Sequence, residues 1–128
     1  MSHYSYSREY VPTAPVVEIR LGAPGTEAKS GLLKAFVDTG ADVTLIPMKH
    51  LRRNGAKKVD QATLRSQWGE RRMVALYAVA TEINQHHFNA IRAVGDEIGD
   101  EVILGRNLLN RLRLLLDGPA SVVEVLDV

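Results

Sequence analysis

The chain has 128 residues, a length that fits one domain, and its 45% of hydrophobic and 24% of charged residues are ordinary for a globular protein. The formal net charge of +1 gives no reason to expect a nucleic acid or an anionic membrane as the main partner. Because the chain contains no cysteine, disulfides, thiolate nucleophiles and zinc–thiolate sites are excluded.

The N-terminal segment MSHYSYSREYVPTA is polar and aromatic. Its composition predicts a flexible arm over residues 1–14, followed by one folded domain over residues 15–128. The segment lacks the apolar run of a signal peptide, and no apolar run in the chain approaches the roughly 18 residues that a membrane helix needs. We therefore expect a cytoplasmic protein without a membrane partner.

The first half of the domain alternates apolar strands with glycine-containing turns. Period-two alternation in PVVEIRLG predicts a strand with one buried face, and APGTEAKSG predicts a hairpin loop. LLKAFVD and VTLIP predict two further strands that flank the sharp turn DTGAD, with Pro47 ending the second strand. MKHLRRNGAKKV predicts a short helical turn closed by Asn54 and Gly55.

The second half predicts a long hairpin, more strands and one helix. QATLRS and RRMVALYAVATEI predict two strands that flank QWGE, with Gly69 near the hairpin tip. FNAIRAV, EVILG and SVVEVLDV predict three more strands. Helical spacing of Leu108, Leu109 and Leu112, extending towards Leu115–Leu116, predicts a helix near the C-terminus. Eight or nine short strands with one C-terminal helix indicate an all-β fold, as a closed or folded-over barrel.

The tripeptide Asp38-Thr39-Gly40 lies between two apolar strands. Taken alone, it predicts an Asx-turn, in which the Asp side chain bonds nearby backbone amides. An unpaired buried carboxylate is costly, however, and a carboxylate at the end of a buried strand is held by a rigid scaffold, a placement that favours chemistry. The residues themselves leave both interpretations open.

One carboxylate is a poor device for hydrolysing a peptide bond. Without a metal or a covalent nucleophile, one group must take a proton from water while another gives a proton to the carbonyl, and two carboxylates that share one proton do both. Because the chain contains Asp-Thr-Gly only once, the simplest source of a second equivalent aspartate is the two-fold axis of a homodimer.

FVDTGADVTLIP together with VILGRNLLNRL resembles the retropepsin-like aspartic proteases, the single-domain homodimeric enzymes of the retroviral type. Between these two motifs, the chain has a predicted hairpin with glycine at its tip, in the order typical of that family. The resemblance covers about residues 16–126. It implies an all-β, retropepsin-like closed β-barrel with a flap hairpin and one short C-terminal helix, assembled as a homodimer.

The resemblance implies three catalytic residues, Asp38, Thr39 and Gly40. Asp38 would hold the attacking water together with its counterpart in the second copy. Thr39 would bond its counterpart across the two-fold axis, with a local ST-turn as the alternative. Gly40 would leave room for the substrate backbone and bind a substrate amide through its carbonyl.

The implied substrate-binding residues are Phe36, Ala41, Asp42, Trp68, Gly69 and Ile103. Asp42 would accept substrate amides and pair with Arg106, which would serve as structural support; a surface charge at the helix start is the alternative for Arg106. Trp68, on the flap tip, would cover the substrate or be an isolated exposed aromatic. Phe36 and Ile103 would line side-chain pockets or belong to the ordinary core.

No metal and no cofactor are expected. His86 and His87 lie in a predicted turn, and His3 and His50 belong to unrelated segments.

The expected function is an aspartic endopeptidase that acts as a homodimer on a peptide or an unfolded protein, with SVVEVLDV at the dimer interface and no nucleic acid as partner. The main alternative is a non-catalytic dimerisation or peptide-binding module on the same fold. A basic RNA-binding domain that uses KHLRRNGAKK is a weaker one.

Overall fold

The computed structural model describes residues 2–127, which form ten strands and two short helices. The strands are β1 (Ser2–Ser5), β2 (Val16–Gly22), β3 (Leu33–Val37), β4 (Thr44–Pro47), β5 (Lys57–Arg65), β6 (Arg71–Ile83), β7 (His86–Asp96), β8 (Val102–Leu104), β9 (Arg113–Asp117) and β10 (Val122–Leu126). The helices are α1 (Met48–Arg53) and α2 (Arg106–Leu109). Neither of these helices has the length or the apolar character needed to span a membrane.

Six of the strands close into a barrel. Their hydrogen-bonded order is β2-β3-β8-β4-β7-β6, and β6 returns to pair with β2, where Arg20 lies opposite Glu82. The β3–β8 and β4–β7 pairs are parallel, whereas the other neighbouring pairs are antiparallel. Closure leaves these six strands without a free sheet edge. The predicted all-β closed barrel is confirmed.

The barrel interior holds one continuous hydrophobic core. Alternating side chains of the strands point inward, so that Ile19 of β2, Ile83 of β6 and Leu104 of β8 are fully buried. The same cluster includes Leu108 of α2 and Val123 of β10. The barrel, α2 and the C-terminal strand are therefore joined by apolar packing, which gives the loops at the barrel's ends a rigid base.

The β5–β6 hairpin is the predicted flap. β5 pairs only with β6 among the described strands, and its register ends with Arg65 opposite Arg71. At the tip, the N–H of Ser66 donates to the carbonyl oxygen of Glu70 (2.9 Å). Gly69 has a φ of +85°, a left-handed conformation that glycine adopts without strain. The predicted hairpin with Gly69 near its tip is confirmed.

The C-terminal helix is shorter than its leucine spacing predicts. α2 ends at Leu109, and the chain then turns into strand β9. In β9, Leu114 lies opposite Val125 and Leu116 opposite Val123 of β10, so these leucines gain cross-strand partners. The prediction that the helix continues to Leu115–Leu116 is wrong, because pairing with β10 overrides the local helical periodicity.

The N-terminal residues form part of a second, three-stranded sheet with the order β1-β10-β9. Ser7 and Ala14 form an additional bridge, and the side chains of both are buried. We expected residues 1–14 to form a flexible arm, whereas residues 2–5 pair with β10 and Ser7 bridges to Ala14. Met1 lies outside the described residues, and the domain boundary at residue 15 stays a prediction.

Asp96 holds the loop that follows β7. Its Oδ1 accepts hydrogen bonds from the N–H groups of Ile98 (2.9 Å) and Gly99 (3.0 Å). The bonds from Gly99 and Ile98 favour the ionised carboxylate and hold the pKa of Asp96 below its usual value of 3.8, although partial burial opposes them. The nearby charge of Arg72 lowers the pKa further.

We expect Asp96→Asn to lower the free energy of unfolding by about 1 kcal/mol near pH 7, because hydrogen bonds to a charged acceptor are the stronger ones. The folded-state pKa lies below the unfolded one, so the contribution of the carboxylate is present above about pH 4 and is lost as the pH falls through the folded pKa. Urea unfolding near pH 7 and near pH 3 measures the difference.

The difference between wild type and variant should therefore shrink near pH 3, and a difference that is equal at both pH values would contradict this account. Asp100→Asn serves as the control in the same loop, because the Asp100 side chain is 89% exposed.

Candidate active site

Asp38 directly follows the last residue of β3. Val37 lies opposite Leu104 in the parallel β3–β8 pair, and both side chains are buried. The N–H of Asp38 donates to the carbonyl oxygen of Leu104 (3.1 Å). The backbone at Asp38 is thus fixed by two central strands, while its half-buried side chain lines a cavity of about 520 Å³.

The two carboxylate oxygens of Asp38 have different surroundings. Oδ1 accepts a hydrogen bond from the N–H of Gly40 (3.0 Å). This is the bond that the Asx-turn interpretation of the tripeptide predicts. For Oδ2, no hydrogen-bond partner lies within residues 2–127. A β-carbon at Gly40 would lie 3.2 Å from Oδ1. One oxygen therefore fixes the loop, and the other is open to a ligand.

Arg106, the first residue of α2, ties the loop 38–43 to the helix. Its Nη1 donates to the carbonyl oxygen of Thr39 (2.9 Å), and its Nη2 donates to the carboxylate of Asp42. The N–H of Arg106 also donates to the carbonyl oxygen of Ala41 (2.8 Å). The predicted contact between Arg106 and Asp42 is present, and an arginine–carboxylate bond of this kind is among the stronger hydrogen bonds.

Asn107 connects the loop region to two more strands. Its Oδ1 accepts hydrogen bonds from the N–H and the hydroxyl of Thr44, both at 2.9 Å, and its Nδ2 donates to the carbonyl oxygen of Arg92 (2.7 Å). Thr44 is 1% exposed, and its hydroxyl oxygen also accepts from the N–H of Gly105 (3.1 Å). Its buried polar groups are therefore satisfied. We did not predict Thr44 and Asn107 as site residues, although Asn107 belongs to the LGRN motif.

Gly105 lets β8 and the loop approach each other at backbone distance. A β-carbon at this position would lie 2.5 Å from the carbonyl carbon of Val43 and 2.8 Å from its nitrogen. These neighbours are backbone atoms, which cannot move aside as the end of a flexible side chain does. Only glycine fits here.

The cavity lies between the Asp38 loop and the β5 strand of the flap. It is lined by Asp38, Gly40, Ala41, Asp42, Val43, Leu45, Thr63, Leu64, Arg65, Val94 and Ile103. The structure thus brings five predicted residues to one surface, and Ala41, Asp42 and Ile103 lie there beside Asp38 and Gly40. The lining residues from β4, β5 and β7 were missed, because strand periodicity does not tell which side chains meet the loop.

The remaining predicted residues do not line the cavity of the single chain. Thr39 is exposed, and its hydroxyl makes no hydrogen bond within residues 2–127, so a local ST-turn is not formed. The ring of Phe36 lies against that of Tyr10, with centroids 5.1 Å apart. Trp68 is 83% exposed at the flap tip, next to Gly69. The site roles of Thr39, Phe36, Trp68 and Gly69 stay predictions.

Tyr10 joins Phe36 to the loop that precedes β8. Burial, followed by a hydrogen bond to Glu101 and the charge of that residue, raises the pKa of Tyr10 to about 12. The Tyr10 hydroxyl is therefore neutral near neutral pH and acts as the donor to the Glu101 carboxylate.

Among residues 2–127, no three His, Asp or Glu side chains are close enough together to hold a metal ion. The polar side chains that line the cavity are those of Asp38, Asp42, Thr63 and Arg65, and Arg106 bonds to Asp42 beside them.

Two sequence comparisons give different results. A family model described as gag-polyprotein putative aspartyl protease matches residues 29–111, more than half of the chain and including both the Asp38 loop and the start of α2. No curated protein matches the chain at a significant level.

Solved structures share the fold. A retropepsin-like aspartic protease from Rickettsia conorii is similar with a TM-score of 0.67 and 18% identity, covering 97% of this chain and 88% of that one. EIAV protease complexed with the inhibitor HBY-793 is similar with a TM-score of 0.58 and 19% identity, covering 84% of this chain and 93% of that one. The retroviral protease-like domain of Ddi1 from Leishmania major has a TM-score of 0.58 and 15% identity, and the match covers 90% of each chain. The predicted retropepsin-like fold is confirmed.

Gly105→Ala should lower the free energy of unfolding by about 1–3 kcal/mol, because its new methyl group would overlap the backbone of Val43. Urea or thermal unfolding measures the effect. The matched control is Gly118→Ala, since nothing lies within 4 Å of a β-carbon there. The control should change stability by less than about 0.5 kcal/mol. If both variants were equally stable, the close approach at Gly105 would be refuted.

Proposed function

We propose that this chain, which belongs to the gag-polyprotein putative aspartyl protease family, is an aspartic-type endopeptidase that acts as a homodimer on a peptide or an unfolded protein. The observation that carries the proposal is the Asp38 carboxylate, held by two buried strands, lining a cavity and keeping one oxygen unbonded. Rigid placement of this kind is what a catalytic group requires.

A single copy supplies only half of the chemistry. Asp42 is the other aspartate that lines the cavity, but its carboxylate is bonded to Arg106. The free Asp38 carboxylate therefore needs a partner of the same kind, and a two-fold axis supplies one. Two carboxylates about 3 Å apart cannot both ionise cheaply, so the pair shares one proton.

In the proposed reaction, the ionised Asp38 takes a proton from a water molecule while the protonated Asp38 of the second copy gives its proton to the substrate carbonyl oxygen. The water oxygen bonds to the carbonyl carbon, forming a tetrahedral diol. When the C–N bond breaks, the amine nitrogen receives a proton from the dyad while one hydroxyl of the diol returns its proton to the other, ionised Asp38, and the carboxylic acid and the amine leave. The dyad again holds a single proton, so the cycle is balanced.

The loop and the flap would position the peptide. The Asp42 carboxylate, oriented by Arg106, and the exposed backbone at Gly40 would bond substrate main-chain groups. Thr63 and Leu64 of the flap already face the cavity from the other side. Movement of the hairpin over the peptide would exclude water, which strengthens the electrostatic interactions inside. Trp68 would then be covered by substrate or by the second copy.

A non-catalytic peptide-binding or dimerisation module is the second candidate. The hydrogen bond from Gly40 to Asp38 favours it, since an Asx-turn alone is a sufficient structural reason for an aspartate here.

Asp38→Asn should reduce cleavage of an unfolded protein substrate by a factor of about 10² to 10⁴, because an amide cannot share the proton. The side chain is nearly isosteric and its oxygen can still accept the bond from Gly40, so the fold should persist. Cleavage assays between about pH 4 and pH 7 measure the loss, with thermal unfolding as the check on folding.

Asp60→Asn is the matched control, because Asp60 is exposed on β5, pairs with Arg92 (3.2 Å) and does not line the cavity. It should cleave like the wild type. Undiminished cleavage by Asp38→Asn would refute the proposal, and binding of substrate by the wild type without any cleavage would favour the module.

A further inference from the structure

We infer that Arg65 of the flap makes this chain selective for acidic peptide segments, by pairing with a substrate carboxylate close to Asp38. The inference rests on the proposed function in one respect, namely that a peptide lies in the cavity under the flap. It goes further by naming the kind of substrate side chain that is recognised and the residue that recognises it.

The first observation is the charge around the cavity. Among the described residues that line it, Arg65 of β5 is the one cation, and Asp38 and Asp42 are the anions. The Asp42 carboxylate is already bonded to Arg106. In the proposed dyad, two Asp38 side chains carry one negative charge between them. Because each of the two flaps brings its own Arg65, the positive charge exceeds what the dyad can balance.

The second observation is that Arg65 has no anionic partner of its own. Neither Arg65 nor Arg71 forms an ion pair within residues 2–127, and the carboxylate of Glu70 forms none there either. Arg72 differs, because its charge lowers the pKa of Asp96 and both residues line a second cavity of about 400 Å³. The guanidinium of Arg65 is therefore available to an anion from outside the chain.

The third observation is a repulsion within the hairpin. Arg65 lies directly opposite Arg71 in the last pair of the β5–β6 register, so both side chains extend from the same face of the flap. Like charges directly opposite each other destabilise a strand pair. A carboxylate beside the two guanidinium groups would offset this repulsion. Binding of an acidic side chain would thus also stabilise the hairpin over the substrate.

The size of the cavity limits where the acidic residue lies in the substrate. A volume of about 520 Å³ is on the order of 8 Å across, which holds roughly two or three residues of a peptide that rises about 3.3 Å per residue. The recognised carboxylate therefore belongs within three residues of the scissile bond. Much of the remaining wall is apolar and includes Val43, Leu45, Val94 and Ile103. An apolar residue beside the acidic one fits this wall.

The strength of the pair depends on the flap. Arg65 is exposed in the single chain, where an ion pair contributes little to binding. When the flap covers a peptide and water is excluded, the same charge interaction becomes stronger. The planar guanidinium also matches a carboxylate with two parallel hydrogen bonds. Selectivity would therefore arise mainly in the closed complex.

A peptide fits these charges better than a nucleic acid does. Arginines beside an exposed aromatic such as Trp68 also occur in proteins that bind single-stranded nucleic acid. Here, however, Arg65 shares its cavity with Asp38 and Asp42, whose carboxylates repel a continuous phosphate backbone. The formal net charge of the chain is only +1. A single acidic side chain can reach Arg65 without bringing a polyanion to these carboxylates.

Matched peptide substrates test the selectivity. The peptides share one sequence with apolar residues at the scissile bond, and one position, scanned over the three residues on either side, is Glu, Gln or Lys. At the preferred position, kcat/KM of the wild type should be about 10-fold higher for Glu than for Gln, with Lys the poorest. The Glu/Gln ratio should fall in about 1 M NaCl, because salt screens the charges.

Substitutions of Arg65 test the assignment to this residue. Arg65→Gln should lower the Glu/Gln ratio by about 10-fold, and Arg65→Glu should invert the preference so that the Lys peptide is cleaved faster than the Glu peptide. Because Arg65→Gln also removes the repulsion from Arg71, it should fold at least as stably as the wild type in thermal unfolding. Arg53→Gln, the loss of an exposed charge on α1, is the control and should keep the wild-type ratio.

Binding of the same peptides, labelled with a fluorophore, to Asp38→Asn separates this inference from the proposed function. Cleavage that does not distinguish Glu from Gln, or that favours Lys, would overturn the selectivity and leave the peptidase standing. A preference for Glu that persists in Arg65→Gln would overturn the role of Arg65.

The remaining outcomes concern a chain that cleaves no peptide. Tighter binding of the Glu peptide than of the Gln peptide, lost in Arg65→Gln, would then support the recognition of acidic segments and refute the peptidase. Neither cleavage nor charge-dependent binding would overturn both. Displacement of the Glu peptide by a single-stranded oligothymidylate of equal length at lower concentration would overturn the inference in favour of a nucleic-acid site.

Discussion

The attachment of the Asp38 loop to the first turn of α2 is the constraint on which the site depends. Arg106 reaches the loop through its side chain and its backbone, and Gly105 allows the two backbones to touch. Asn107 extends the same connection to β4 and β7. Because these bonds join segments that are far apart in sequence but adjacent in the barrel, the carboxylate of Asp38 is fixed by the whole fold rather than by a mobile turn.

Much of the architecture could be predicted, because its signals are local. Strands with alternating apolar residues, separated by glycine-containing turns, predicted the all-β class. The QWGE turn between two strands predicted the flap hairpin with Gly69 near its tip. The contact between Asp42 and Arg106 was also expected, from the resemblance of both motifs to one family. In each case, a short pattern in the chain carries the information, and the tertiary structure agrees with it.

The errors arose where distant partners decide the outcome. Leu115 and Leu116 continue the helical spacing of Leu112, yet pairing with β10, in which Leu116 lies opposite Val123, makes this segment a strand. The polar N-terminal residues looked unstructured because their own composition does not reveal that β10 has an edge to pair with. For the same reason, the flap side chains that line the cavity, including Thr63 and Leu64, could not be identified from the sequence.

The pairing of β1 with β10 inside one polypeptide has a consequence for control. Because β1 pairs with β10 of the same chain, a copy can fold without exchanging its terminal strands with a second copy. In the proposed enzyme, the active site with its two aspartates would then form in a separate bimolecular step, when two folded copies associate. When copies are scarce, the amount of active species would grow with the square of their number, so local crowding would set the threshold for proteolysis.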